Sequence, residues 1–475
     1  ALAWAQDSLT DSEKVSQAYD ASRLFHHIVV QRSRRYVKQS QIESGEALTL
    51  FPRRNYPIEV QYDIEKTCPG LLKTFVKACT PAQKLFYLAI YNPTEYSHTE
   101  AKSEKEILRK GREGALVVLL RTIFLKRFES STKAFEASCW GLMGKLISWV
   151  ELHIESEADK RMYTAWRNRN SDMLSKYDVK QRELFPEGSK TAEDRVDLIF
   201  DAIGGRNGAK LEKLDRKEFD IDRMIRESLS DLETLTDILA EALKVEPSKD
   251  QKLQALIKLL KEDPKLKGQK VIIFTESTDT AKYIECHVKS SGVERVACID
   301  GSANGNQRLA AVRKFAPYYN PVKKGKLDRE KDTPEYLEHQ ALKRDLAKQT
   351  TVLIATDILA EGLNLQDSCN LINFDLNWNP VRLLQRIGRV DRRLNQATED
   401  EMIADHPQLK ESRGQVFFWN FLPPDGLNAV LSLFAKVTTK VSTISAVLGL
   451  EGQIVQASEK NDPIKLFNQK CDGAL

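Results

Sequence analysis

The sequence predicts an α/β fold in its C-terminal half, a parallel sheet with helices on both faces, preceded by a largely α-helical region. Three observations carry this. From Lys270 onward, short continuous apolar runs appear, as expected of strands buried on both faces. These runs alternate with stretches of helical spacing, the pattern of a parallel sheet with crossover helices. Upstream, from Thr80 to about Leu260, apolar residues recur mostly at helical intervals, as in Leu116–Leu125 and Leu232–Leu243.

Taken in order, residues 1–50 are polar, with helical spacing around Arg23–Lys38 and the basic cluster Gln31-Arg32-Ser33-Arg34-Arg35. Phe51-Pro52-Arg53-Arg54 follows, then Ile58-Glu59-Val60-Gln61-Tyr62, whose alternation reads as a strand. Two polar stretches, Ser97–Gly114 and roughly Glu155–Asp194, interrupt the helical region. A solvated loop or helix face accounts for both better than contact with DNA or protein. Strands are expected at Val271–Phe274, Val296–Ile299, Val352–Ala355, Leu371–Phe374 and Val416–Trp419, and helices at Thr280–Ser290 and Arg308–Phe315. A charged insert, Lys323–Lys348, lies between them, and Ala457–Leu475 is a polar tail. The division expected is therefore 1–55, 56–245, 246–455 and 456–475.

Composition sets limits. The chain has 475 residues, 41% hydrophobic and 29% charged, which suits a globular protein of more than one domain. Lysine plus arginine number 72 against 68 acidic residues, so any nucleic-acid surface must come from local patches. Seven dispersed cysteines, without a C-x-x-C pair, argue against a zinc site and fit a reducing cytoplasm. No apolar run is long enough for a membrane span, and no signal peptide is recognisable. The chain begins at Ala1, which leads us to expect a fragment of a longer polypeptide.

Three segments carry chemistry. In T-V-L-I-A-T-D-I-L-A-E-G-L-N-L-Q, a buried strand ends in Thr356-Asp357, where α/β sheets gather ligands, and Gly362 permits close backbone approach. In N-F-D-L-N-W-N-P, Asp375 ends another strand at the same edge, and Trp378 sits in a turn, either stacking on a base or packed as a brace. In V-R-L-L-Q-R-I-G-R-V-D-R-R, helical spacing places Gln385, Arg389 and Arg392 near one face, with Gly388 leaving room for an approaching group. Paired arginine forks suit polyphosphate and can stabilise a transferring phosphoryl group.

Gln385–Arg392, Q-R-I-G-R-V-D-R, resembles the Q-x-x-G-R-x-x-R signature (motif VI) of superfamily 2 helicases and translocases. A-T-D-I-L-A-E-G-L-N-L-Q resembles their motif V, and K-V-I-I-F-T-E-S-T-D-T-A their motif IV. Gly301, Arg308 and Phe315 resemble the G…R…F stretch between them. The order and spacing agree over roughly Asp250–Gly452. F-D-L-N-W-N-P-V-R-L-L-Q-R-I-G-R is most similar to the Swi/Snf-type branch and its bacterial RapA-like subgroup. L-L-R-T-I-F-L-K-R-F-E-S-S-T-K-A-F resembles a segment of RapA-like helicases, including those of phage-defence systems such as DISARM.

The resemblance implies a second RecA-like motor lobe over 246–455. Residues 1–55 would then be the exit from a first lobe, and 56–245 a helical insertion or linker. Arg389 and Arg392 would face the ATP γ-phosphate, and Gln385, Glu361, Gly362 and Gly388 would line the nucleotide cleft. Thr356, Asp357, Asn364, Trp378 and Arg308 would lie towards nucleic acid. The partner expected is DNA, double-stranded by analogy with the branch, beside protein partners in a defence or remodelling complex. The chain departs from the family in lacking G-x-x-x-x-G-K-[ST] and D-E-x-H; Asp400-Glu401-Met402-Ile403 lies in a polar stretch and is a decoy. The ligands for the phosphates and Mg2+ are therefore expected on a first lobe in cis or trans, and this chain alone is expected to be inactive. The competing reading is a non-catalytic scaffold or DNA- or protein-binding module built on the same lobe.

Overall fold

The computed structural model describes residues 41–44, 50–71, 74, 86–99, 103–184, 213–322, 333–357, 364–377, 379–424 and 427. Two compact units divide the chain: Asp63–Gln254 with Ala429–Leu431, and the remainder. The helical spacing around Arg23–Lys38 and the basic cluster beside it lie outside the described residues.

The first unit is helical, as its apolar spacing requires. Helix α1 (Glu104–Ser130) starts at a reciprocal cap, in which Ser103 Oγ accepts from Glu106 N and Glu106 Oε2 accepts from Ser103 N. Ser131 is fully extended and ends α1; its Oγ accepts from Ala134 N at 3.0 Å and opens α2 (Thr132–His153). Helices α3 (Glu157–Arg169), α4 (Ser171–Leu184) and α5 (Ile221–Ala242) follow. The polar stretches identified in the sequence thus include exposed helix faces, although Tyr163 and Trp166 of α3 turn inward and stack with ring centroids 6.1 Å apart. Phe135 and Leu146 of α2 and Leu232, Leu235 and Leu239 of α5 are wholly buried. Beneath them Asp231 accepts from Tyr87 N and Leu88 N, each at 2.7 Å. Leu88 stands at φ 54°, a left-handed conformation that leucine seldom adopts, and this carboxylate holds the turn in place.

The second unit is a fully parallel seven-stranded sheet. Its strands are β1 (Arg53–Arg54), β2 (Ile58–Val60), β3 (Val271–Thr275), β4 (Val296–Ile299), β5 (Val352–Thr356), β6 (Asn370–Asn373) and β7 (Gln415–Phe421). The order is β1-β7-β6-β3-β5-β4, with β2 also on β7. The five strands expected from Val271 onward are all present, and so is the strand read at Ile58–Tyr62, observed as Ile58–Val60. The sheet also recruits Arg53–Val60, so the α/β unit begins upstream of the helical one and extends past the boundary expected at residue 55.

Side chains alternate across a sheet, and here both sets are buried. Val271, Ile273, Ile354, Ile372 and Trp419 share one core with Leu256 and Leu260 of α6 (Gln251–Glu262) and Ile284 and Val288 of α7 (Thr278–Ser290). Ile272, Phe274, Leu353, Ala355 and Phe418 point to the other side and are equally inaccessible, so both faces are covered. Helix α8 (Gly305–Phe315) follows β4. The described end of the charged insert forms α9 (Pro334–Arg344), tied down by Lys343 Nζ to Glu401 at 2.9 Å and by His406 Nε2 to the Lys343 carbonyl at 2.7 Å. Two further helices of the unit are α10 (Pro380–Ile387) and α11 (Gln396–Asp405). Asp400-Glu401-Met402-Ile403 lies within α11, with Met402 buried, consistent with a structural role.

Candidate functional site

The motif segments meet at the carboxyl ends of β3, β5 and β6, where a parallel sheet gathers its ligands. Asp357 leaves β5 and accepts from Arg386 Nε at 2.6 Å, Asn377 Nδ2 at 3.0 Å and Arg382 Nη1 at 3.4 Å. Asp375, beyond β6, accepts from Thr275 Oγ1 at 2.7 Å and Glu276 N at 2.8 Å, closing the end of β3 onto β6.

Arg386 joins these two carboxylates. Its guanidinium is inaccessible to solvent, donates to the Asp375 carbonyl at 2.9 Å, approaches the Asp375 carboxylate at 3.8 Å, and lies 5.5 Å from the Phe274 ring centroid. Burial works against its charge, but Asp357 and Asp375 outweigh it and hold its pKa above the usual arginine range. Sequence reasoning passed over Arg386. The signal was present: Leu383, Arg386 and Ile387 of α10, with Val390 just past its end, fall at the i, i+3, i+4, i+7 spacing of a buried stripe, and all four are buried.

The helical spacing drawn through Gln385, Arg389 and Arg392 extends past the observed helix. Gly388 caps α10, its N–H donating to the Leu384 carbonyl at 2.7 Å, and residues 388–392 form a turn and bend. A Cβ on Gly388 would stand 3.1 Å from that carbonyl oxygen, a crowded contact, so the glycine keeps the turn close to the helix. Gln385 is exposed, and Arg389 is buried with its carbonyl accepting from Leu365 N at 3.3 Å. Arg392 donates from Nε to the Gly388 carbonyl at 2.9 Å and from Nη1 to Asn364 Oδ1 at 2.7 Å. The turn is thus tied to the segment that follows β5. Thr356 is buried at the end of β5, and its hydroxyl makes no hydrogen bond among the described residues. Arg308 lies apart from this group, on α8 beyond the edge strand β4, where Nε donates to the Ala303 carbonyl at 2.8 Å. Glu361, Gly362 and Trp378 lie outside the described residues. A cavity at the opposite edge of the sheet, lined by Lys270, Thr351, Cys369 and Arg413, is remote from these motifs.

A second unanticipated tie fastens the turn from the other side. Asp391 Oδ2 accepts from Arg54 Nε at 2.8 Å and Nη2 at 2.5 Å, and Leu394 N donates to the Leu50 carbonyl at 2.8 Å. The sequence offers no local signal for this pairing, because its members lie at opposite ends of the chain.

Residues 332–393 match the family model of the helicase conserved C-terminal domain. The α/β unit carries a superfamily 2 helicase C-terminal lobe. Over 123 residues the chain is 35% identical to the uncharacterized ATP-dependent helicase YqhH of Bacillus subtilis (strain 168), covering 26% of this chain and 16% of that protein. It is 31% identical over 124 residues to the RNA polymerase-associated protein RapA of Yersinia enterocolitica, covering 24% of this chain and 12% of RapA. The matched region is thus less than a fifth of either relative's length. The solved C-terminal part of the Fun30 ATPase domain covers 80% of this chain at 15% identity, with a TM-score of 0.33. Within the lobe, the match ends at Arg393, so it includes β5, α10 and the turn bearing Arg389 and Arg392. Among the described residues, no helix is long and apolar enough to cross a membrane.

Proposed function

We propose that this chain supplies the second motor lobe of a nucleic-acid-dependent ATPase of the Swi/Snf type, RapA-like, that translocates on duplex DNA. The observation that carries the reading is the seating of Arg392. Two of its nitrogens are committed to Gly388 and Asn364, whereas Nη2 makes no hydrogen bond among the described residues. An arginine held this way, on the turn that also bears Arg389, fits a polyphosphate delivered from a facing lobe. The magnesium half does not fit this chain, whose sequence has neither the P-loop lysine motif nor D-E-x-H.

Bound ATP supplies the phosphoryl group whose transfer drives the motor. Arg392 stabilises the charge that develops on that group, Arg389 supports it, and Gln385, Glu361, Gly362 and Gly388 border the nucleotide. Thr356, Asn364, Trp378 and Arg308 face the nucleic acid, and Asp357, through Arg386, couples the two regions. The identity to the RNA polymerase-associated protein RapA supports the RapA-like reading; duplex DNA and a protein partner in a remodelling or phage-defence complex are proposed by analogy with that branch. The test is ATP hydrolysis by the full protein with duplex DNA, single-stranded DNA or RNA. Duplex DNA is expected to stimulate most, and Arg392→Ala to abolish turnover. Unchanged turnover in that variant overturns the role; stimulation by RNA alone overturns the substrate.

A further inference from the structure

We propose that Arg54 is a positioning residue for the arginine turn, fixing Arg389 and Arg392 through the buried carboxylate of Asp391. The inference rests on the reading of that turn as the phosphoryl-facing element, and adds the device that sets its position.

Asp391 stands between the two arginines, and its side chain is inaccessible to solvent. A carboxylate removed from water needs a fixed cationic partner. Arg54 supplies it, gripping Oδ2 with Nε and Nη2 while its own side chain stays only 19% exposed. Arg54 is itself immobilised. Arg53 N donates to the Gly414 carbonyl at 2.8 Å, Asn55 N donates to the Val416 carbonyl at 3.0 Å, and Asn55 Nδ2 reaches the same carbonyl at 3.2 Å. Leu50 accepts from Leu394 N on the far side of the turn.

Residues 50–55 are therefore bonded to β7 and, at two points, to the segment carrying the arginines. The segment leading into the sheet and the end of α10 form one clamped assembly. A pull on residues 50–55 reaches the turn through a charge-assisted contact in a low-dielectric setting, where such contacts are strong. The turn cannot shift towards or away from an opposing phosphate without breaking the Arg54 grip or carrying β1 with it.

The experiment measures nucleic-acid-stimulated ATP hydrolysis in the full protein bearing Arg54→Gln, Arg54→Lys, the exchange Arg54→Asp with Asp391→Arg, or Arg392→Ala. Thermal unfolding and binding of ADP–aluminium fluoride and of ADP are measured alongside. A displaced turn should lower kcat by between about 10-fold and 100-fold with little change in the KM for ATP. It should weaken ADP–aluminium fluoride binding but leave ADP binding intact. Arg54→Lys keeps the charge without the two-nitrogen grip, so it guards against simple unfolding and should retain part of kcat. Partial recovery in the exchange variant supports the proposal. If Arg392→Ala is inactive while folded Arg54→Gln and Arg54→Lys turn over like the unaltered protein, the positioning role is overturned and the reading of Arg392 stands. If Arg392→Ala turns over normally, both are overturned. A fall in melting temperature with unchanged kcat and unchanged analogue affinity assigns Arg54 to stability alone and also overturns the proposal.

Discussion

Arg386 Nε and Asp357 Oδ1 stand 2.6 Å apart, and the guanidinium is wholly buried. The pair links the end of β5 to helix α10, so the arginine turn inherits its position from the sheet. Removing one member takes from the other its shortest ion pair, leaving Asp357 with Arg382 and Asn377, or Arg386 with Asp375. Arg386→Met should destabilise the α/β unit by about 3–5 kcal/mol. Arg386→Met combined with Asp357→Asn should cost less than the two changes added together. Denaturant unfolding of the three variants checks this, and strict additivity would show that the two residues do not interact.

Asn364 accepts from Arg392 at 2.7 Å. Asn364→Ala should lower kcat for ATP hydrolysis in the full protein by roughly tenfold through lost orientation. The fall should be smaller than in Arg392→Ala, because the bond from Arg392 Nε to Gly388 remains. Equal losses in the two variants would point to a direct role for Asn364.

Burial raises the Asp231 carboxyl from 3.8 to about 7, against the opposing pull of the Tyr87 and Leu88 amides. With the folded pKa above the unfolded one, the protonated acid is the form the fold favours. The associated stability is fully present below 3.8 and is lost as pH rises towards 7. The helical unit should therefore weaken across that window. Asp231→Asn cannot ionise and should flatten the slope, whatever it does to the absolute midpoint. Denaturant midpoints of both proteins across the window decide it, and an unchanged slope in the variant excludes Asp231 as the source.

His153 pulls the other way. Its Nδ1 lies 2.8 Å from the Trp149 carbonyl and its Nε2 accepts from Leu214 N at 2.9 Å, an arrangement that needs neutral imidazole. Burial lowers its pKa from 6.5. A basic group with a depressed folded pKa contributes stability that is present above 6.5 and lost as pH falls through the folded pKa. His153→Gln should remove that loss, measured as denaturant midpoint on the acid side of 6.5. Persistence of the acid-side weakening would locate it elsewhere.

Leu235 is fully buried in α5. Leu235→Ala should cost about 2–5 kcal/mol, read as a shift of the unfolding transition. A shift well below that range would mean the neighbouring helices close over the space.

The parallel sheet was legible because its strands are buried on both faces and read as unbroken apolar runs, such as Val271–Phe274 and Val352–Ala355. The same logic recovered α5 from its leucine spacing. Other features depend on partners distant in sequence. The alternation at Ile58–Val60 marked β2, but Arg53–Arg54 is a two-residue strand whose identity comes from β7, and Arg54 and Asp391 carry no pattern that connects them. Arg386 was hidden differently. Among neighbouring arginines it drew no separate reading, although its place in the apolar stripe of α10 marked it as interior. The placement of Arg389 and Arg392 on a turn followed from Gly388 ending the helix, a boundary that spacing alone overran.

The pairing of β1 with β7 has a consequence for synthesis. Arg53 finds its partner only at Gln415, and the helical unit lies between them in the chain. At translation rates of about 5–20 residues per second, the edge strand waits on the order of half a minute for the strand beside which it belongs. Residues Asp63–Gln254, the main part of the helical unit, emerge within that interval. Sheet closure thus falls late on the ribosome, and β1 and β2 must be kept from mispairing until then.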